Sequence, residues 1–298
     1  MLTEPTLLCR EGAPSRSCRT ASNVEALLQR EDLEILAANK TPAGIQGAHV
    51  LTLRSDGVVF RAKWRPESST TSRNSPRNEL GAYGLQKLFL DPDQYVVPPT
   101  AAHCFPLVTY RQHIDASAKP APGTQCVYGI LSYWLEDVVS ITDARKAGWF
   151  HGLYNHALDL VRFTRDPVYR NSIARVNVVT HLIRHGDSHT KNFVVARTSE
   201  GSPVFYTIDN SIAFSVPPNK RIPADHDWSQ IKVPALPRVA IDRLRDALPR
   251  LDSLSTISRV QQNGARFSVG LTTAEIEGVR ARVNELLARV ARGEITLY

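Results

Sequence analysis

Thr180-His181-Leu182-Ile183-Arg184-His185-Gly186-Asp187-Ser188-His189-Thr190-Lys191-Asn192-Phe193-Val194-Val195 sets an acid and an amide five residues apart between two apolar runs. Seventeen residues past Asn192, Asp209 follows the β-like run Val204-Phe205-Tyr206-Thr207-Ile208. A loop Asp can take the proton of an attacking hydroxyl, and an Asn on the same loop can hold a divalent cation. A carboxylate after the next hairpin can hold the cation that bridges nucleotide phosphates. His185, Asp187 and Asn192 meet the spacing H-x-D-x-x-x-x-N. A chance D-x-x-x-x-N is common, so it is Asp209, behind its apolar run, that gives the pattern weight. Asp187 is the candidate base, Asn192 and Asp209 are candidate ligands for Mg2+ (or Mn2+), and ATP is the expected phosphoryl donor.

Working outward toward the N-terminus, 49–53, the turn Arg54-Ser55-Asp56-Gly57 and 58–64 read as a β-hairpin. Lys63, near the end of its second strand, would point into a cleft and meet the α/β-phosphates. Glu79, in the first turn of a helix over 76–89, is the natural partner that holds it there. A lone strand lysine is more often a solvated edge residue; the succession Lys63, Glu79, Asp187, Asn192, Asp209 favours the functional role. Gly44 and Gly47 could cover the phosphates with backbone N–H groups, although glycines before a strand often mark only a turn. The run 127–135 reads as a buried strand, and Tyr133, Trp134 and Leu135 as an adenine-binding hinge. From an N-cap at Ser22, Val24, Leu27, Leu28, Leu33 and Leu36 recur at helical spacing. The runs 96–100 and 107–110 read as strands, and 65–76 as a loop. Helix patterns dominate 142–176 and return at about 239–249 and 272–292, the last opened by the capping box Thr272-Thr273-Ala274-Glu275.

Residues 182–193 resemble the D-x-H-x-x-N catalytic loop of the atypical kinases: phosphatidylinositol 3/4-kinases, HipA-type kinases, the actin-fragmin kinase and secretory-pathway kinases related to four-jointed. Ile208-Asp209-Asn210-Ser211-Ile212-Ala213-Phe214 is similar to the I-D-N-G-L-A-F segment of type II phosphatidylinositol 4-kinases and their bacterial relatives. Arg77-Asn78-Glu79-Leu80-Gly81-Ala82-Tyr83, followed by Val97-Pro98-Pro99-Thr100, is similar to the Glu-bearing helix and next strand of such proteins. The resemblance spans about 40–240. It implies an α+β, bilobal protein-kinase-like fold: a β-rich N-lobe with one key helix over 41–137, a mainly helical C-lobe over 138–298, and a leader with a helix over 1–40. It also implies that Asp187 is catalytic and that Asn192 and Asp209 hold the metals. Ser211 stands where that segment has Gly, which predicts a stiffer metal loop. Asn210 in place of Phe argues against the Phe flip of conventional protein kinases.

Two other readings compete. Arg184-His185-Gly186-Asp187-Ser188 also resembles the R-H-G-[ED]-S motif of histidine phosphatases, in which the His is the nucleophile. That motif lies near the N-terminus in its family, whereas here it lies past the midpoint. The third reading is a nucleotide-binding pseudokinase scaffold. At 298 residues and 42% hydrophobic the chain can bury a large core. Its net charge of +7 suits nucleotide phosphates or acidic substrates; without a Lys/Arg block, no nucleic-acid partner is expected. A protein or small-molecule hydroxyl acceptor fits better than a lipid, since no amphipathic lipid-binding helix stands out. Cys9, Cys18, Cys104 and Cys126 form no CxxC pair and are expected as free thiols of a cytoplasmic protein. With no signal-like h-region and no apolar run of about 18–20 residues, no integral membrane association is expected.

Overall fold

The computed structural model describes residues 7–8, 18–41, 47–71, 74–151, 158–214, 227–263 and 265–298. Strands β1 (Leu7–Leu8) and β2 (Cys18–Arg19) pair in parallel ahead of helix α1 (Ala21–Leu28). The cap of α1 is Thr20, whose Oγ1 accepts from the Asn23 amide, not Ser22. The helix ends at Leu28, so Leu33 and Leu36 do not continue it. They belong instead to the approach to, and body of, strand β3 (Glu34–Lys40). Pairing of Ile35 with Leu53 and a bidentate Arg54–Glu34 ion pair hold that segment extended, which overrides its helical spacing.

The expected hairpin is formed by β4 (His49–Ser55) and β5 (Val58–Pro66). Asp56 (φ 51°) and Gly57 (φ 73°) are both left-handed, as a two-residue turn between right-twisted strands requires. After helix α2 (Arg77–Gln86) comes β6 (Thr100–Pro106), then α3 (Leu107–His113) and β7 (Cys126–Tyr133). The run 107–110, expected as a strand, is therefore helical. Pro106 brings no N–H to a ladder and tolerates a helix start, and Arg111 and His113 lie at the negative end of the dipole. The five strands form one antiparallel sheet in the order β3-β4-β5-β7-β6. Alternation along β7 gives the sheet two apolar faces. Leu131 and Tyr133 pack with α1 and with Tyr110 of α3, whereas Ile130 and Cys126 pack with Leu80 of α2. On that second face Cys104 and Cys126 form a disulfide, and Cys18 is also disulfide-bonded, so the expectation of free thiols fails.

The second lobe contains β8 (Val139–Ser140), α4 (Ile141–Lys146), α5 (Leu160–Arg165), α6 (Pro167–Leu182), β9 (Phe193–Arg197) and β10 (Pro203–Thr207). It continues through β11 (Ala235–Leu236), α7 (Arg238–Ala247), β12 (Ser258–Gln262), β13 (Ala265–Val269), α8 (Thr273–Ala291) and β14 (Thr296–Leu297). Helix α6 carries two start signals, Asp166 accepting from the Tyr169 amide and Pro167 at its first position. Its Tyr169, Ile173, Val176 and Val179 are buried against Phe150, Phe205 and α8. The hairpin β12–β13 crosses back to the first lobe. There Val260, Ala265 and Val269 join the cluster around Leu80, and Phe267 meets Tyr128 edge-on with ring centroids 4.7 Å apart.

Candidate active site

The chain leaves α6 through Arg184, held left-handed at φ 48°, and enters β9 through a 3-10 turn over Thr190–Asn192. Two backbone hydrogen bonds zip this loop to the segment after β10: Gly186 N–H to Ile212 O at 2.7 Å and Phe214 N–H to Ile183 O at 2.6 Å. A third, from the Ile208 amide to Asn192 O at 2.9 Å, sets the two candidate metal ligands on neighbouring strand ends. Asn192 Nδ2 donates to Asp187 O (2.8 Å) and Oδ2 (3.2 Å), leaving its Oδ1 as the available ligand atom. His189 Nε2 lies 3.3 Å from Asp187 Oδ1. That hydrogen bond, against the opposing effect of burial, holds the Asp187 carboxyl below its usual range and raises His189 above the ordinary histidine value. Asp187 is thus ionised, as a proton acceptor must be.

Across the cleft, Lys63 Nζ lies 3.2 Å from Glu79 Oε1 and 2.9 Å from Asp209 Oδ1. Burial opposes the Lys63 charge, but the two carboxylates outweigh it and raise the ammonium pKa above the lysine norm. Asp209 titrates at about 2: partial burial works against its charge, and Lys63, with Arg65 behind it, more than compensates. The Asp209 backbone is left-handed at φ 56°, a conformation that Asp tolerates better than most residues. Ser211 has no positive φ, so no glycine is needed at that position; its hydroxyl donates to Asp209 Oδ1 at 3.2 Å. Asn210 N–H and Nδ2 donate to Glu79 Oε2, which locks the second oxygen of the lysine's partner.

A cavity of about 360 Å³ opens between the lobes, lined by Lys63, Glu79, Asp209, Tyr133, Trp134 and Leu135 among others. Asn192 falls between two lining residues, Lys191 and Phe193, and bonds Asp187, but neither Asn192 nor Asp187 lines it. Gly47 is left-handed (φ 68°) but is not among the lining residues, and Gly44 lies outside the described residues. Arg61 closes one side through a bidentate ion pair with Glu136, its guanidinium 5.9 Å above the Trp134 ring. His185 is buried at 1% exposure, with Nδ1 accepting the Asp187 amide, so it cannot reach a substrate as a nucleophile. Asp227 Oδ1 accepts from Ser188 Oγ and the Ser229 amide, and Trp228 packs under Phe193; both support the loop from below.

The sequence reading overlooked Arg65, whose Nη1 is 3.9 Å from Asp209 Oδ1. The signal was present: in a strand, residues two apart share a face, so Arg65 stands beside Lys63.

Neither a protein-family model nor a curated protein matches the chain in sequence. Solved structures match it in shape. Hydra Fam20 with sugar superposes with a TM-score of 0.55 at 14% identity, over 90% of this chain and 89% of that one. The Golgi casein kinase with Mn/ADP bound gives 0.55 at 13%, over 93% and 78%. A second structure of the Golgi casein kinase gives 0.55 at 12%, over 91% and 74%. The chain shares the fold of these structures. Of the five residues picked from sequence, Lys63, Glu79 and Asp209 line the cavity, and Asp187 and Asn192 lie on the loop that ends at its lining residues Lys191 and Phe193. Asn192 and Asp209 offer one amide oxygen and one carboxylate, donors that suit a hard divalent cation. Among the described residues no three His, Cys, Asp or Glu side chains converge as a preformed metal cage. A cation held here would therefore take its remaining ligands from phosphate oxygens and water.

Proposed function

We propose that this chain is an ATP-dependent phosphotransferase that moves the γ-phosphoryl group to a hydroxyl acceptor. The observation that carries this reading is that Lys63, Glu79 and Asp209 line one interlobe cavity, while the loop bearing Asp187 and Asn192 is hydrogen-bonded to the segment that carries Asp209. Lys63, clamped by Glu79, meets the α/β-phosphates, and the hinge 133–135 receives the base. Asp187 accepts the acceptor's proton, held in orientation by Asn192 Nδ2 and His189. Mg2+ or Mn2+ on Asn192 and Asp209 would neutralise charge on the transferring phosphoryl group. The Mn and ADP of the Golgi casein kinase structure support a nucleotide with a divalent cation in this fold. We favour a protein or small-molecule acceptor. No helix among the described residues is long and apolar enough to cross a membrane. The disulfides favour an oxidising compartment over the cytoplasm expected from sequence.

The test is transfer from γ-labelled ATP into the protein, metabolite and lipid pools of a cell extract, with and without Mg2+ or Mn2+. Asp187→Asn keeps the loop's shape and should retain folding and nucleotide binding while abolishing transfer. Undiminished transfer by this variant would remove Asp187 from its role. Nucleotide binding without turnover by the unmodified chain would favour the scaffold reading.

A further inference from the structure

Helix α2 is buried on every side: each residue from Asn78 to Gln86 is shielded from solvent. An ordinary surface helix buries one stripe; this one is enclosed. Gln86 bonds the backbone of Val96 and Val97, and Asn78 Nδ2 donates to Ser211 O and Ala213 O. The remaining flank meets the C-terminal segment. Arg77 Nη1 and Nη2 form a bidentate pair with Glu275 at 2.6 and 3.0 Å, and Nη1 also donates to Gly270 O at 3.1 Å. Glu275 is at the same time the capping-box acid of the 19-residue α8, its Oε2 accepting from Thr272 N and Oγ1. One carboxylate thus fixes both the start of α8 and the start of α2.

Arg77 and Glu79 are two positions apart, about 200° around the helix. They pull α2 in opposite directions, Glu79 toward Lys63 and Arg77 toward Glu275. A rotation or outward swing that withdraws Glu79 from Lys63 has to break the Arg77 pair. We propose that Arg77, through Glu275, is a positioning residue for phosphoryl transfer: it holds Glu79 in register with Lys63, so that the phosphate clamp is assembled before nucleotide arrives. This inference rests on the phosphotransferase reading for its catalytic consequence, and on geometry alone for the clamp.

The test compares Arg77→Met, Arg77→Lys and Arg280→Met. Arg280 serves as control: it is on α8, pairs with Asp252 and Glu277 and donates to Leu248 O, and none of these partners is on α2. Amide hydrogen exchange over 77–86 and the affinity for Mn2+·ADP are measured for each, with melting temperature. Arg77→Met should raise exchange across 77–86 and weaken Mn2+·ADP roughly 10- to 100-fold, the scale of a small misplacement of a catalytic group. Arg77→Lys, which keeps the charge but not the fork, should fall between. Arg280→Met should lower the melting temperature and leave both readouts alone. If Arg77→Met lowers melting in the same way while exchange over 77–86 and affinity stay at the unmodified values, the residue is only structural and the proposal is overturned. Should Arg77→Met not fold, Glu275→Gln, which preserves the capping box, replaces it with the same expected direction. If the unmodified chain binds no Mn2+·ADP, the phosphotransferase reading fails, and exchange alone decides the clamp.

Discussion

Burial opposes the ammonium of Lys63, and its charge persists because Glu79 and Asp209 lie within 3.2 Å of it. Replacing it with methionine leaves the Glu79 carboxylate, 5% exposed, with only the donors of Asn210. Breaking one side of a buried ion pair costs about 3 kcal/mol, more than the added methyl-thioether packing returns. Lys63→Met should therefore lower the urea midpoint and weaken ADP binding together; loss of binding at full stability would contradict the triad as described. Asp209 calls for the opposite design, because its side chain is half exposed but its backbone is left-handed. Asn tolerates that backbone and removes the charge. Asp209→Asn should melt close to the unmodified chain while losing the metal dependence of nucleotide affinity, measured by calorimetry with and without Mn2+. A large drop in melting temperature would show that the Lys63–Asp209 pair is structural first.

Helix α2 meets its neighbours through two glycines that would each be worth about 1 kcal/mol more as alanine in a free helix. A Cβ on Gly81 would stand 2.6 Å from Leu271 Cδ2 and 2.9 Å from Phe214 Cε2; on Gly84 it would meet Ile257 at 2.9 Å. Phe214 is buried, with a left-handed backbone, and has little freedom to retreat. Overpacking of about 1–3 kcal/mol then exceeds the propensity gain. Gly81→Ala should lower stability in urea; a higher midpoint would mean that the helix has room to shift. None of this could be read from the sequence, because the contacts join residues well over a hundred positions apart. What could be read was local. Asp187 and Asn192 share one loop, Asp209 follows the hairpin after it, and Lys63 sits on a hairpin announced by Asp56-Gly57. The capping box at Thr272 was legible for the same reason, but its second use by Arg77 was not. Short apolar runs misled: 107–110 lacked the length to tell strand from helix, and Leu33 and Leu36 fitted a helical period that sheet pairing overrode. The Cys104–Cys126 bond joins strands whose adjacency only the sheet order supplies.

For the whole molecule, stability depends on pH through buried groups whose protonation differs between the folded and unfolded chain. His103, 1% exposed within the first lobe, is pushed down to about 3 by burial, partly offset by a hydrogen bond with the Leu28 backbone. His181 and His185 in the second lobe are lowered by the same cause. An unfolded histidine takes up its proton near 6.5, so between that pH and the folded value the unfolded chain binds more protons. These contributions are complete above pH 6.5 and are lost as pH falls, at about 1.4 kcal/mol per pH unit for each proton. His189 has the opposite sign: raised by Asp187, its contribution is complete below pH 6.5 and fades as pH rises through the folded value. It is partly exposed, so this term is small. The carboxylates add at the acid end, since the lowered Glu275, and to a smaller extent the half-exposed Asp209, stabilise above their unfolded values and fail below them. The urea midpoint should therefore hold roughly level from pH 8 to 6.5, then fall steadily toward pH 4. His103→Leu, if it folds, should make that fall shallower by one proton's slope. A midpoint independent of pH across that interval would mean that the buried histidines are reached by water, and with them the interior that sets the cleft.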